Sequence, residues 1–175
     1  MLLRDANPGD FPRILALNQE SVHFLSPLTL QRLGQLHGEA AYHRVLEVGG
    51  AVAAFLLAFR EGCVYDSPNY RWFAGAYDNF LYIDRVVVSA ACQGQGLGPR
   101  LYADLFSFAV QTRAVRVTCE FDIAPPNEVS RRFHQRYGFR EVGSQSVASG
   151  AKQVSLQAVM LGAEGAALPD PRLCP

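Results

Sequence analysis

The stretch from Phe80 to Gly98 narrows the possible folds more than any other part of this chain. A β-branched strand that ends Ile83-Asp84-Arg85-Val86-Val87-Val88 leads into the turn Gln93-Gly94-Gln95-Gly96-Leu97-Gly98, and a helix-forming run follows. Such a unit aims several free backbone N–H groups at one point, and the helix dipole adds positive potential there, so it attracts phosphate. Glycine matters at Gly94, Gly96 and Gly98 because a Cβ would block the anion's approach or the turn's dihedrals. Arg100 can add charge at the same place.

The elements around this unit can be read in order. Leu2 to Ala6 is strand-like, and an amphipathic helix carrying Phe11, Ile14, Leu15 and Leu17 follows Pro8-Gly9-Asp10. A second helix starts at Thr29 with Leu30, Leu33 and Leu36. Tyr42 to Val48 and Ala51 to Phe59 flank Gly49-Gly50, a two-residue hairpin signal. Glu61 to Asn79 has no clean period and carries five aromatics, so it is expected to be a long functional loop. After the turn come a helix with Leu101, Leu105, Phe108 and Ala109, and a strand from Ala114 to Phe121 that Pro125-Pro126 ends. Asn127 caps the next helix, with Glu128 in its first turn, and Gly138 closes it. Strands Phe139 to Val147 and Gln153 to Leu161 finish the fold. The order βααβββαβαββ predicts an α/β domain with a mixed, largely antiparallel central sheet, flanked by helices and containing one crossover.

A chain of 175 residues, 49% of them hydrophobic, suits one domain, expected over residues 1–161. Residues 162–175 are rich in Gly, Ala and Pro and are expected to form a flexible tail. Lys plus Arg and Asp plus Glu are equal at 16 each, so a nucleic-acid partner is not favoured. The longest apolar run, Ala51 to Phe59, is too short for a membrane span, and the first residues lack the pattern of a secretory signal. A cytoplasmic location is the expectation. Cys63, Cys92, Cys119 and Cys174 have no metal-type spacing; no metal is implied, and packed thiols are expected.

Spacing tests two nucleotide-binding alternatives. A P-loop needs Lys and then Ser or Thr after its last glycine, and Gly98 is followed by Pro99-Arg100, so that reading fails. The dinucleotide fingerprint would place its third glycine at Pro99. Glu120, near the end of the next strand, can mimic the ribose-binding acid, so a dinucleotide-binding oxidoreductase is weakened but stays open.

Taken as Gln93-x-x-Gly96-x-Gly98 after its strand, the segment resembles the acetyl-CoA pyrophosphate motif of the GNAT superfamily of N-acetyltransferases. Asn127-x-x-Ser130-x-x-Phe133-His134-x-x-x-Gly138-Phe139 resembles that family's second CoA motif. The resemblance covers Leu2 to about Leu161. It implies acetyl-CoA as cosubstrate, with Val86, Val87 and Val88 along the pantetheine arm and Gln93 to Gly98 with Arg100 at the pyrophosphate. It adds Asn127, Ser130 and Phe133 from the second motif, and it implies a possible homodimer. The chain departs from the pattern at His134, where many members have Tyr, and at Pro99, which has no N–H to offer.

Acetyl transfer to an amine needs a neutral nucleophile and a proton for the departing thiolate. Asp84, on the cofactor strand, is a candidate proton acceptor, and a salt bridge with Arg85 is the competing reading. Alternation along a strand puts Asp84 and Arg85 on opposite faces. His134 and Tyr137, three apart on one helix, are the candidate proton donors. The aromatic stretch 61–79 is expected to line the pocket for a primary amine acceptor of small-molecule or peptide type. The alternative is a catalytically silent acyl-CoA-binding regulatory domain.

Overall fold

The computed structural model describes residues 1–162. Strands β1 (Leu2–Asp5), β2 (Tyr42–Val48), β3 (Ala51–Arg60), β4 (Leu81–Val88), β5 (Arg116–Ala124), β6 (Arg140–Val147) and β7 (Lys152–Met160) form one sheet in the order β1-β2-β3-β4-β5-β7-β6. Helices α1 (Phe11–Glu20), α2 (Leu30–Glu39), α3 (Pro68–Ala76), α4 (Leu97–Gln111) and α5 (Glu128–Arg136) cover its two faces. Every ladder is antiparallel except β4–β5. That is the expected fold class, with α4 as the crossover between the two parallel strands. A dinucleotide fold, which needs a parallel sheet, does not fit.

The Gly49-Gly50 hairpin forms as its composition requires. Both glycines have positive φ, 61° and 82°, the backbone of a primed turn that matches strand twist, and Val48 pairs with Ala51. Strand β3 is buried from Val52 to Phe59 on both faces, which explains its unbroken apolar run. On one face, Leu97, Leu101, Tyr102, Leu105, Phe106 and Ala109 of α4 pack against β2, β3, β4 and β5. On the other, Ile14, Leu17 and Leu33 of α1 and α2 meet Val45, Phe55 and Val87, and Tyr70 and Phe73 of α3 join Phe59, Tyr82 and Leu156.

The expectation of a loop at 61–79 needs correction, because α3 lies inside it and the element order is βααββαβαβαββ. The Ser67 side chain accepts from the Tyr70 amide and Pro68 occupies the first turn, a preorganised helix start. Tyr70 and Phe73, three apart, then face the core together. Residues 163–175, which hold most of the expected tail and Cys174, lie outside the described residues. Cys63, Cys92 and Cys119 are free thiols. Among the described residues no helix is long and apolar enough to cross a membrane.

Candidate active site

Strands β4 and β5 pair only at Leu81 with Val117 and at Tyr82 with Thr118. From Ile83 onward β4 keeps its ladder to β3 alone, while β5 continues with β7. The two parallel strands therefore diverge, and each leaves a row of backbone N–H and C=O groups without a partner across the gap among the described residues. An extended ligand can bond such a row as a strand would. Val86, Val87 and Val88 lie on this open stretch of β4.

The Gly-rich turn stands at the wide end of the gap. After the short 3-10 turn Ala90–Cys92, Gln93 is extended, Gly94 and Gly96 have φ of 76° and 78°, and Leu97 begins α4. A side chain at either glycine would be strained whatever space surrounds it. Among the described residues no acceptor meets the amides of Gly94, Gln95, Gly96, Leu97 or Gly98. Leu97 is buried and anchors the turn to the core, whereas Arg100 is exposed beside it. Gly98 has another role: a Cβ there would lie 3.3 Å from the Phe133 ring of α5. That contact brings the two sequence motifs together.

On α5, Asn127 caps the helix through Oδ1, which accepts from the Ser130 amide at 3.1 Å, so its oxygen is already committed. His134 Nδ1 lies 2.7 Å from the Ser130 carbonyl, which only accepts, so Nδ1 carries the proton and Nε2 accepts from the Tyr102 hydroxyl at 2.7 Å. Burial lowers the His134 pKa to about 4, although the Ser130 carbonyl opposes the shift. A neutral imidazole with both nitrogens bonded is a poor proton donor at neutral pH. Its position instead ties α5 to α4. Among the described residues the buried Tyr137 hydroxyl has no hydrogen-bond partner, its ring lies among Tyr102, Phe106 and Phe133, and burial raises its pKa to about 12.

At the narrow end of the gap, Leu57 pairs with Arg85 and Ala58 with Ile83, so Asp84 is an extra, unpaired residue. This bulge breaks the alternation that predicted opposite faces for Asp84 and Arg85. Arg85 Nε donates to Asp84 Oδ2 at 3.0 Å, with the side chains only 7% and 6% exposed. The Tyr65 hydroxyl donates to Asp84 Oδ1 at 2.5 Å. Glu120 of β5, which sequence reasoning gave no role in this chemistry, accepts from the Tyr82 hydroxyl at 3.0 Å through Oε1. Burial and then the nearby charge of Asp84 raise the Glu120 pKa to about 8, against the bonds from Asn69 and Tyr82. A signal was present in Val117-Thr118-Cys119-Glu120-Phe121-Asp122, where polar residues alternate onto one face of a central strand. Of the aromatic stretch, Tyr65 reaches this cluster, while Tyr70 and Phe73 are core residues.

The acetyltransferase (GNAT) family model matches residues 10–139. A phosphinothricin N-acetyltransferase from Streptomyces coelicolor is 42% identical over 59 residues, which is 34% of this chain and 33% of that protein. The match therefore spans about a third of that relative's length. Ard1 from Thermoplasma volcanium has the same fold, with a TM-score of 0.76 at 18% identity over 91% of this chain and 97% of that one. YncA, a putative acetyltransferase from Salmonella typhimurium solved with its cofactor acetyl-CoA, gives 0.71 at 19% identity over 95% and 97%.

Proposed function

The chain belongs to the GNAT acetyltransferase family, and from that premise we propose that it moves the acetyl group of acetyl-CoA directly to a primary amine in a ternary complex. The observation that carries this reading is the gap between β4 and β5, open along Val86 to Val88 and ending at a turn whose amides find no acceptor among the described residues. The turn amides hold the pyrophosphate and the free edge of β4 bonds the pantetheine arm. This sets the thioester near Tyr82 and Asp84, where the strands close. Asp84 and Glu120 stand on the acceptor side of that point, Asp84 ion-paired with Arg85 and Glu120 held toward its neutral form by burial. Positioning both substrates supplies a large part of the acceleration. Tyr137, protonated throughout the working pH range, gives the thiolate its proton, and His134 is a positioning residue.

Replacing Gly96 by Val strains a positive-φ backbone, but a Cβ there meets no non-adjacent described residue within 4 Å, so the fold should survive. Calorimetry should then show acetyl-CoA binding lost; unchanged affinity would overturn the cofactor assignment. CoA release in an amine screen tests transfer itself. Tight binding with no release for any amine would make the chain a silent acyl-CoA-binding domain instead. With an acceptor in hand, Tyr137→Phe should lower turnover by about 10²-fold. A normal rate would pass the proton's source to solvent.

A further inference from the structure

Lys152 is the only lysine of the chain, and every other one of its 16 Lys and Arg residues is an arginine. Apart from the α-amino group of Met1, it is the one primary amine that the protein itself can offer to a thioester. Guanidinium groups cannot serve, because they keep their proton at any working pH. Lys152 begins β7, and its Nζ donates to Asp122 Oδ2 of β5 and to the His23 carbonyl, each at 2.8 Å. On the other side of the gap, Arg85 of β4 donates to the Ser26 carbonyl at 2.7 Å. His23 and Ser26 both belong to residues 21–29, the segment between α1 and α2. That segment thus spans the gap, held to the β4 side by Arg85 and to the β5 side by Lys152.

The level of Lys152 along the gap follows from the strand register. Tyr82 pairs with Thr118 where β4 and β5 close, so the parallel register sets Asp122 level with Val86, on the stretch of β4 open to the pantetheine arm. Glu120 feels the charge of both Asp84 and Asp122, so the three carboxyl groups form one cluster. The Lys152 ammonium stands at its edge, on a flexible four-carbon stem that is 25% exposed. A purely structural tie would explain both of its bonds, but an arginine would make them too, with a fork that suits the Asp122 carboxylate better. A chain that uses arginine everywhere else has its single lysine at this place.

We propose that Lys152 is a self-acetylation site, modified within its own chain when acetyl-CoA is bound and no acceptor fills the cleft. This rests on the acetyltransferase reading. Nζ loses one proton to water, which reaches the partly exposed side chain, and the neutral amine swings away from the His23 carbonyl to the thioester. The C–N bond forms and the C–S bond breaks. The second amine proton replaces the one that the thiolate takes as it leaves as CoA. The product is an uncharged amide, and Asp122, only 7% exposed, is left without its cation.

The experiment incubates the protein with acetyl-CoA carrying an isotope-labelled acetyl group, without any amine, and follows the intact mass and then the peptide that contains Lys152. The native protein should gain one acetyl group at Lys152, about 10-fold or more faster than the same chain unfolded in urea, because positioning rather than chance collision drives the step. Its rate constant should not change when the protein is diluted. Lys152→Arg keeps a cation against Asp122 and should take no label there, and Gly96→Val should label no faster than the unfolded chain. Label at Met1 alone, equal rates for native and unfolded chains, native-rate labelling of the Gly96 variant, or a rate constant that rises with protein concentration would each overturn the proposal and leave acetyl transfer intact. So would an unlabelled Lys152 in protein that releases CoA with an amine from the screen. Failure to bind acetyl-CoA, or binding with neither label nor CoA release, overturns both.

Discussion

An imidazole enclosed by Tyr102, Phe121, Phe133 and Phe139 gains nothing from a proton that it cannot solvate. Burial lowers the folded-state pKa of His134 to about 4, against an ordinary value of 6.5, so the unfolded chain binds more protons between those limits. The resulting stability is complete above about pH 6.5 and is lost as pH falls toward 4. Its ceiling is on the order of 3 kcal/mol, from 1.36 kcal/mol per pKa unit. His43 is lowered to about 4 as well, by burial and then by the charge of His37, and it adds a share in the same window. The melting temperature should therefore be flat near neutrality and fall from about pH 6.5 to 4. His134→Ala should melt lower at pH 7, by roughly 2–4 kcal/mol of stability, because it leaves a cavity and an unbonded Tyr102 hydroxyl. Its acid-side fall should be shallower, with the His43 share remaining. An equally steep fall in the variant would mean that His134 is protonated in the native protein.

At the scale of elements, α3 shows how a helix hidden in an aromatic stretch docks onto the sheet. Trp72 on α3 lies over Gly143 of β6, so close that a Cβ there would stand 2.6 Å from Trp72 Cζ2. Gly143→Ala should push the indole off the sheet and cost about 1–3 kcal/mol, as overpacking does. Trp72 is the chain's only tryptophan, so its fluorescence reports the shift directly, and an unchanged spectrum with unchanged stability would contradict the packing. The helix was legible in Ser67-Pro68 and in the spacing of Tyr70 and Phe73, but Gly75 and the aromatic density masked it. The hairpin and the Gly-rich turn were legible because each depends on local backbone conformation alone. The bulge at Asp84 was not, because it is defined by what β3 places opposite it. The motif similarly located His134 on α5 but could not say that Tyr102 and Ser130 would take both its nitrogens. Glu120 was visible only as an alternation of polar residues, because its burial and its bond from Tyr82 depend on strands distant in the chain.

At the scale of the whole molecule, the sheet has two parts, β1-β2-β3-β4 and β5-β7-β6, whose ladders meet at two residue pairs. Acetyl-CoA acting as a strand between them would protect the β4 amides between Ile83 and Val88 that face away from β3 against hydrogen exchange, and the melting temperature should climb with its concentration. At 100 times Kd the gain is about 2.7 kcal/mol. Protection confined to the Gly-rich turn would argue that the arm does not lie along β4.

An unpaired strand face is ordinarily a problem of a sheet's rim, where natural proteins blunt it with charge, proline or brevity. Here two such faces run through the middle, on strands whose composition, Val86-Val87-Val88 above all, suits pairing with another chain. The ligand-free protein thus carries in its binding cleft a template for self-association that the cofactor itself would cover. Warmed without CoA it should scatter light sooner than with it. Under crowded conditions, the nucleotide that serves as substrate would also serve as the protein's solubiliser.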